Sequence, residues 1–187
     1  ASLSWSGATL TTTGTFVLRD KQTSASLVIS DTAALGKGER SAMRLRIEAA
    51  PLRVTYEGAV ATRDGLQAEG SFSADTPSLR DALRWFDADA PSPGGFGRFS
   101  FKSKVAVTPI AMTLTNVAIE LDGNRVQGGF TAKRDGPRTM VQGTLAAEET
   151  SLAPYRGIFS LLNANGRDWN REPIDVRLLQ ALDLDLR

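Results

Sequence analysis

The residues in this chain best placed to do chemistry are acidic. Asp81, Asp87 and Asp89 lie close together, beside Arg80 and Arg84. Paired carboxylates are the apparatus of glycoside hydrolysis, one protonating the leaving group while the other acts as base or nucleophile. The same residues also suit a solvated helix face and the loop after it, and that reading is favoured. Glu148-Glu149 precede a helix start, where carboxylates suit the helix dipole. Asp183 and Asp185 alternate with leucine and read as the wet face of a strand. A calcium site would need more oxygen ligands at set spacing. Gly94-Gly95-Phe96-Gly97 has no following Lys-Ser/Thr and opens no helix, so it is no phosphate cradle. Trp85 and Trp169 flank loops, where an indole packs under a helix or meets lipid headgroups.

Composition narrows the chemistry further. The chain has no histidine and no cysteine. That excludes the Ser-His-Asp triad, the commonest zinc ligand, thiolate metal sites and disulfides. The net charge is +1, with cations and anions interleaved, so no basic block marks a nucleic-acid face. The expectation is a protein without catalytic residues, metal or cofactor. Its 187 residues suit a single domain with a real core, residues 1–187. No apolar run is long enough to cross a membrane as a helix. The start, Ala1-Ser2-Leu3-Ser4-Trp5, has neither an initiator Met nor a signal-peptide pattern, and the alternation Leu182-Asp183-Leu184-Asp185-Leu186 stops in mid-course. The chain is therefore expected to be a segment of a longer protein.

The elements that must position any site are strands. Met43, Leu45, Ile47 and Ala49 alternate with Arg44, Arg46 and Glu48. Leu52, Val54, Tyr56, Gly58 and Val60 alternate with Arg53, Thr55 and Glu57. Leu66, Ala68, Gly70, Phe72 and Ala74 continue the pattern, as do Phe99, Phe101, Val105 and Val107. A period of two means one dry and one wet sheet face. Arg63-Asp64-Gly65, Asp122-Gly123-Asn124 and Arg134-Asp135-Gly136-Pro137 carry turn chemistry between close neighbours, which predicts antiparallel hairpins. Leu10 to Ser30 reads as two strands around Arg19-Asp20-Lys21-Gln22, and Gly36 to Glu39 as a loop. One strand changes phase: Met112 and Leu114 share a parity that Val117, Ile119 and Leu121 reverse. This predicts a β-bulge near Thr115–Asn116.

Two segments read as helices. Thr76 caps the first, with Pro77 in its first turn and Leu79, Ala82, Leu83 and Phe86 on its apolar side. It ends before Pro91-Ser92-Pro93-Gly94-Gly95, a linker near 91–97. The second runs from Pro154 to about Asn163, with Gly166 beyond its end, and a short turn follows Pro173. An internal repeat spans 51–90 and 117–162. Gly58, Arg63-Asp64-Gly65, Gly70, Phe72, Ala74 and Ser78-Leu79 find counterparts in Gly129, Arg134-Asp135-Gly136, Gly143, Leu145, Ala147 and Ser151-Leu152. Stacked units of this kind build one long sheet. The fold class expected is mainly β: a long curved antiparallel sheet of repeated hairpins with two or three short helices, groove- or half-barrel-like.

From Thr76 onward the chain resembles the C-terminal part of AsmA-family proteins. The resemblance rests on the order of Pro77-Ser78-Leu79-Arg80, Leu83-Arg84-Trp85-Phe86, Pro93-Gly94-Gly95-Phe96-Gly97, Leu114-Thr115-Asn116-Val117 and Ile119-Glu120-Leu121-Asp122-Gly123. Gly143-Thr144-Leu145, Leu152-Ala153-Pro154-Tyr155 and Trp169-Asn170-Arg171-Glu172-Pro173-Ile174-Asp175 complete it. Ala153 departs from a position that is often acidic in the family. The resemblance implies a periplasmic segment, tethered to the inner membrane by a helix not present in this chain. It also implies a part in outer-membrane biogenesis and phospholipid transport in Gram-negative bacteria, with no catalytic residues to carry over.

The sheet itself then becomes the candidate site. Its apolar parity gives the lipid-facing candidates Leu45, Ile47, Val54, Leu66, Phe72, Phe99, Phe101, Val105, Ile119 and Leu145. The partner expected is phospholipid or another envelope lipid. The alternatives are a closed β core, a scaffold binding outer-membrane assembly proteins through edge strands, and a hydrolase built on Asp81, Asp87 and Asp89.

Overall fold

The computed structural model describes residues 1–88, 94–135, 138–147, 149–155 and 182–186. In chain order the elements are β1 (Ser2–Ser6), β2 (Thr9–Leu18), β3 (Lys21–Ile29), α1 (Thr32–Gly36), β4 (Ser41–Ala49), β5 (Leu52–Ala61) and β6 (Gln67–Thr76). Then follow α2 (Leu79–Trp85), β7 (Phe99–Val107), β8 (Ala111–Leu121), β9 (Asn124–Asp135), β10 (Arg138–Ala147), a 3-10 turn (Ala153–Tyr155) and β11 (Leu182–Leu186).

Among the described residues all eleven strands belong to one open, curved sheet whose spatial order is the order of the sequence, with β1 and β11 at its edges. Every pair from β1–β2 to β9–β10 is antiparallel. The expected β-rich architecture of consecutive hairpins is therefore what the chain adopts. The β10–β11 pair is the exception, because it is parallel. A parallel pair joins strands far apart in the chain, which a rule built on neighbouring hairpins does not anticipate. With strands about 4.8 Å apart, the sheet measures about 48 Å from edge to edge.

Tight turns set the registers. Arg19 and Asp20 both take positive φ (49° and 60°) in the β2–β3 turn, as do Asp122 and Gly123 (52° and 85°) in the β8–β9 turn. Such primed turns match the right-handed twist of the strands they join. The predicted bulge lies where the phase changes. The β8 register shifts between Leu114 and Val117 against β9, and opposite Lys102/Lys104 on β7. Asn116 is the extra residue, in left-handed conformation at φ 51°. Its insertion returns Val117 to the face already occupied by Leu114.

Ser103 lies on β7 opposite this irregularity. It is buried, and its hydroxyl has no hydrogen-bond partner. An unpaired buried hydroxyl costs about 1–3 kcal/mol. Ser103→Ala is therefore expected to stabilise the chain by about 1 kcal/mol, read as an upward shift of the thermal midpoint.

The helices differ from expectation in detail. Ser78, not Thr76, caps α2: its hydroxyl accepts the Asp81 N–H at 3.2 Å. Thr76 closes β6 instead, where its Oγ1 accepts the Ser78 N–H at 3.0 Å. On the apolar side of α2 only Ala82 is buried, while Phe86 is exposed. Two elements are additional to the sequence reading. One is β1; the other is α1, capped by Asp31, whose carboxylate accepts the Ala34 N–H at 2.8 Å. Of the second helical segment, the turn at Ala153–Tyr155 is described. Its continuation to Asn163, Gly166 and the turn after Pro173 lie outside the described residues, as do Pro91-Ser92-Pro93 and Gly136-Pro137.

Both copies of the sequence repeat form hairpins, β5–β6 and β9–β10. Gly58 pairs with Gly70, whereas Gly129 pairs with Thr144.

Candidate functional site

The register of each ladder fixes which side chains share a face. One row across nine strands reads Leu10, Ile29, Met43, Gly58, Gly70, Val105, Leu114, Phe130, Gly143. A second row carries Ala25, Ile47, Val54, Ala74, Phe101, Ile119, Val126 and Ala147. Leu3 and Trp5 extend the same face to β1. Beyond β10 the backbone of β11 pairs Leu182 with Thr139 and Leu184 with Val141. Cross-strand neighbours of the same parity lie close enough to form one continuous apolar surface.

Nine of the ten sequence candidates fall on this face. Leu45, Ile47, Val54, Phe72, Phe99, Phe101, Val105 and Ile119 are half-buried, and Leu145 is 39% exposed. Leu66 is the exception: it precedes β6 and is 61% exposed in the turn, so it keeps the parity but not the strand. Phe72 and Phe101 meet edge-to-face at 5.9 Å between ring centroids. Among the described residues no second sheet or helical layer packs along this face.

Four large apolar residues absent from the candidate set are buried in the sheet: Tyr56, Val60, Leu114 and Val117, the last only 1% exposed. Their alternation signalled the face but not how deep each would lie. Tyr56 lies along the sheet over the Gly58–Gly70 pair. A Cβ on Gly58 would come within 2.8 Å of the Tyr56 hydroxyl and 2.6 Å of the Gly70 Cα. Gly58 thus leaves room for the Tyr56 hydroxyl, and both glycines permit the close approach of the β5 and β6 backbones. The Tyr56 hydroxyl donates to the Ala59 carbonyl at 2.9 Å, and burial raises its pKa.

The opposite face is wet and largely self-paired. Arg44 meets Glu57 at 2.8 Å, Arg40 meets Glu69 at 2.9 Å, and Glu48 receives both Arg46 (2.7 Å) and Arg53 (2.8 Å). The two arginines, Arg46 foremost, hold the Glu48 carboxyl below its usual pKa. These pairs are exposed and contribute little each. A shallow depression of about 380 Å³ on this face is lined by Thr55, Ser71, Ser73, Lys102 and Lys104. Glu57 also lines it, and the Lys104 ammonium donates to the Ser71 hydroxyl there at 2.8 Å.

The described members of the acidic cluster, Asp81 and Asp87, take separate partners. Asp81 pairs with Arg84 at 3.6 Å along α2, and Asp87 pairs with Arg19 at the β2–β3 turn. Asp89 and Glu148 lie outside the described residues. The Trp85 indole N–H donates to the Leu18 carbonyl at 3.1 Å, and Arg19 donates to the Trp85 carbonyl at 2.9 Å. Together with the Asp87 pair, these contacts strap α2 to a hairpin three strands away from β6. Trp169 lies outside the described residues.

The glycine-rich loop is held as a structural latch. Asp122 accepts the N–H groups of Phe96 and Gly97, both at 2.8 Å. Arg80 donates to the Gly94 carbonyl at 2.6 Å and stands over the Phe96 ring at 5.8 Å. Tyr155 packs edge-to-face on Phe96, and Asn124 pairs with the Ser151 backbone. Desolvation and the neighbouring Asp122 carboxylate push the Tyr155 hydroxyl up to about 12. A group that holds its proton more tightly when folded contributes stability that is complete below its unfolded pKa of about 10. That contribution is lost as pH rises from there through about 12. Alkaline unfolding of the wild type is thus expected to steepen over this window. Tyr155→Phe is expected to flatten that part of the profile, as measured by circular dichroism against pH.

Among the described residues no group of three or more acidic side chains is placed to hold a metal ion, and no helix is long and apolar enough to cross a membrane. No family model, curated protein or solved structure matches the chain.

Proposed function

We propose that this chain is a non-enzymatic, AsmA-like segment that binds or guides phospholipid along its apolar sheet face. The observation that carries this reading is the register: every strand from β1 to β10 contributes apolar side chains to the same face, and no described element packs along it. A continuous apolar surface of this extent calls for a ligand or partner. Acyl chains suit it, because each methylene taken out of water contributes about 0.8 kcal/mol without requiring a polar partner. A track lacking deep polar pockets lets a chain slide. Such binding needs no base, metal or nucleophile, which fits a protein without histidine or cysteine. In this reading the segment works in the periplasm, tethered to the inner membrane by a helix outside this chain, and contributes to outer-membrane biogenesis.

The test is retention of a fluorescent phospholipid. The chain is incubated with vesicles containing the labelled lipid and separated from them by gel filtration. The proposal expects label to elute with the protein, and unlabelled phospholipid to compete it away. Label that remains wholly with the vesicles at every protein concentration would refute it.

A further inference from the structure

We infer that β1 is a strand-addition edge and that its occupant is a second copy of this chain, paired antiparallel through β1 about a two-fold axis. The first support is the unguarded chemistry of the edge. Ser2-Leu3-Ser4-Trp5-Ser6 carries no charge and no proline, and all five residues are exposed. Sheet edges left free in solution are normally blunted by lysine, proline or a bulge. Leu3 and Trp5 are 70% and 63% exposed on the apolar face.

The second support is the direction of the backbone. Antiparallel ladders alternate narrow, non-hydrogen-bonded pairs with hydrogen-bonded ones. A Cβ on Gly14 would lie only 3.4 Å from that of Ala1, which marks the narrow pair. Leu3 and Trp5 share the parity of Ala1, so their N–H and C=O groups turn outward from β2 and face the free edge.

The third is self-complementarity. An antiparallel copy centred on Ser4 sets Leu3 opposite Trp5 of the second chain, Trp5 opposite its Leu3, and serine opposite serine throughout. The outward groups of Leu3 and Trp5 then meet their counterparts directly. Leu–Trp contacts form on the apolar face, which becomes continuous across both copies.

A five-residue strand pair is a small interface, so the dimer is expected to be weak and concentration-dependent. The test is sedimentation velocity over a wide concentration series on the wild type, Leu3→Pro and Leu3→Lys. Leu3→Pro removes an outward amide and leaves the ladder with β2 intact. Leu3→Lys keeps the amide and places a charge on the edge. The wild type is expected to double in mass as concentration rises, while both variants stay monomeric with unchanged far-UV circular dichroism. Three results would overturn the inference: a monomeric wild type throughout, a dimer that both variants preserve, or growth beyond the dimer, which would mean head-to-tail addition of β1 to β11.

Discussion

Phe101→Asp is expected to abolish phospholipid retention while the chain stays folded. Phe101 is half-buried in the middle of the apolar face, flanked by Ala74 and Ile119 in its row and touching Phe72. Loss of the phenyl contact alone removes about 1.5–3 kcal/mol of apolar burial, which is about tenfold or more in affinity. A carboxylate in the path of an acyl chain adds a desolvation cost on top. In the unliganded protein the same carboxylate can still reach water, so the fold survives. Val117→Asp is the contrasting control. Val117 is 1% exposed, and a buried, unpaired carboxylate there is expected to unfold the chain. Lipid retention by gel filtration and melting by circular dichroism separate the two outcomes. If Phe101→Asp unfolds as Val117→Asp does, the face is a closed core and not a track.

The second large effect concerns the bulge. Deleting Asn116 leaves Met112, Leu114, Val117, Ile119 and Leu121 in unbroken alternation, and it pairs Val117 with Ser103 and with Gly128 in a regular ladder. The deletion is therefore expected to keep the fold and lose only the local bend. Deleting Ala118, two residues away, is expected to be ruinous. A regular ladder would then turn Asn116 onto the apolar face and Val117 out to water. Exchanging the most deeply buried valine for an amide costs roughly 3–5 kcal/mol. Chemical denaturation of the two variants measures the difference. Equal loss of stability in both would mean that Asn116 is more than a spacer.

The contrast between these deletions shows what was legible in the sequence. Strict alternation identified the strands from β2 to β8, and the phase change in β8 located its bulge within a residue, because a period of two leaves no other way to keep both halves dry. Turn chemistry at Asp122-Gly123 and Asp64-Gly65 fixed the hairpins. What escaped was short or non-local. The five residues of α1 make little more than one turn, too few for a helical period, and only its Asp31 cap marks it. β1 offers two apolar residues among serines, a pattern that an edge can carry without packing. The parallel docking of β11 depends on a distant strand, and local pattern holds no information about it. Thr76 looked like a helix cap because it precedes proline, but β6 continues through Thr76, which leaves Ser78 as the capping residue.

The candidate site was legible as a face rather than as a set of depths. Parity placed Phe72, Phe101, Val105 and Ile119 correctly. It also included Leu66, because parity continues into a turn where the strand does not. It could not single out Leu114 and Val117 as the shielded centre, since that depends on the bulge bringing both onto one side. The Asp122 latch on Phe96 and Gly97 was invisible for a related reason: a carboxylate in a primed turn already has a local explanation.

Native mass spectrometry with organic extraction, on the chain purified from bacterial cells, tests the central claim most directly. The account predicts phospholipid bound at a defined stoichiometry, lost in Phe101→Asp. A protein that purifies without lipid, and stays lipid-free after incubation with phospholipid vesicles, would contradict it.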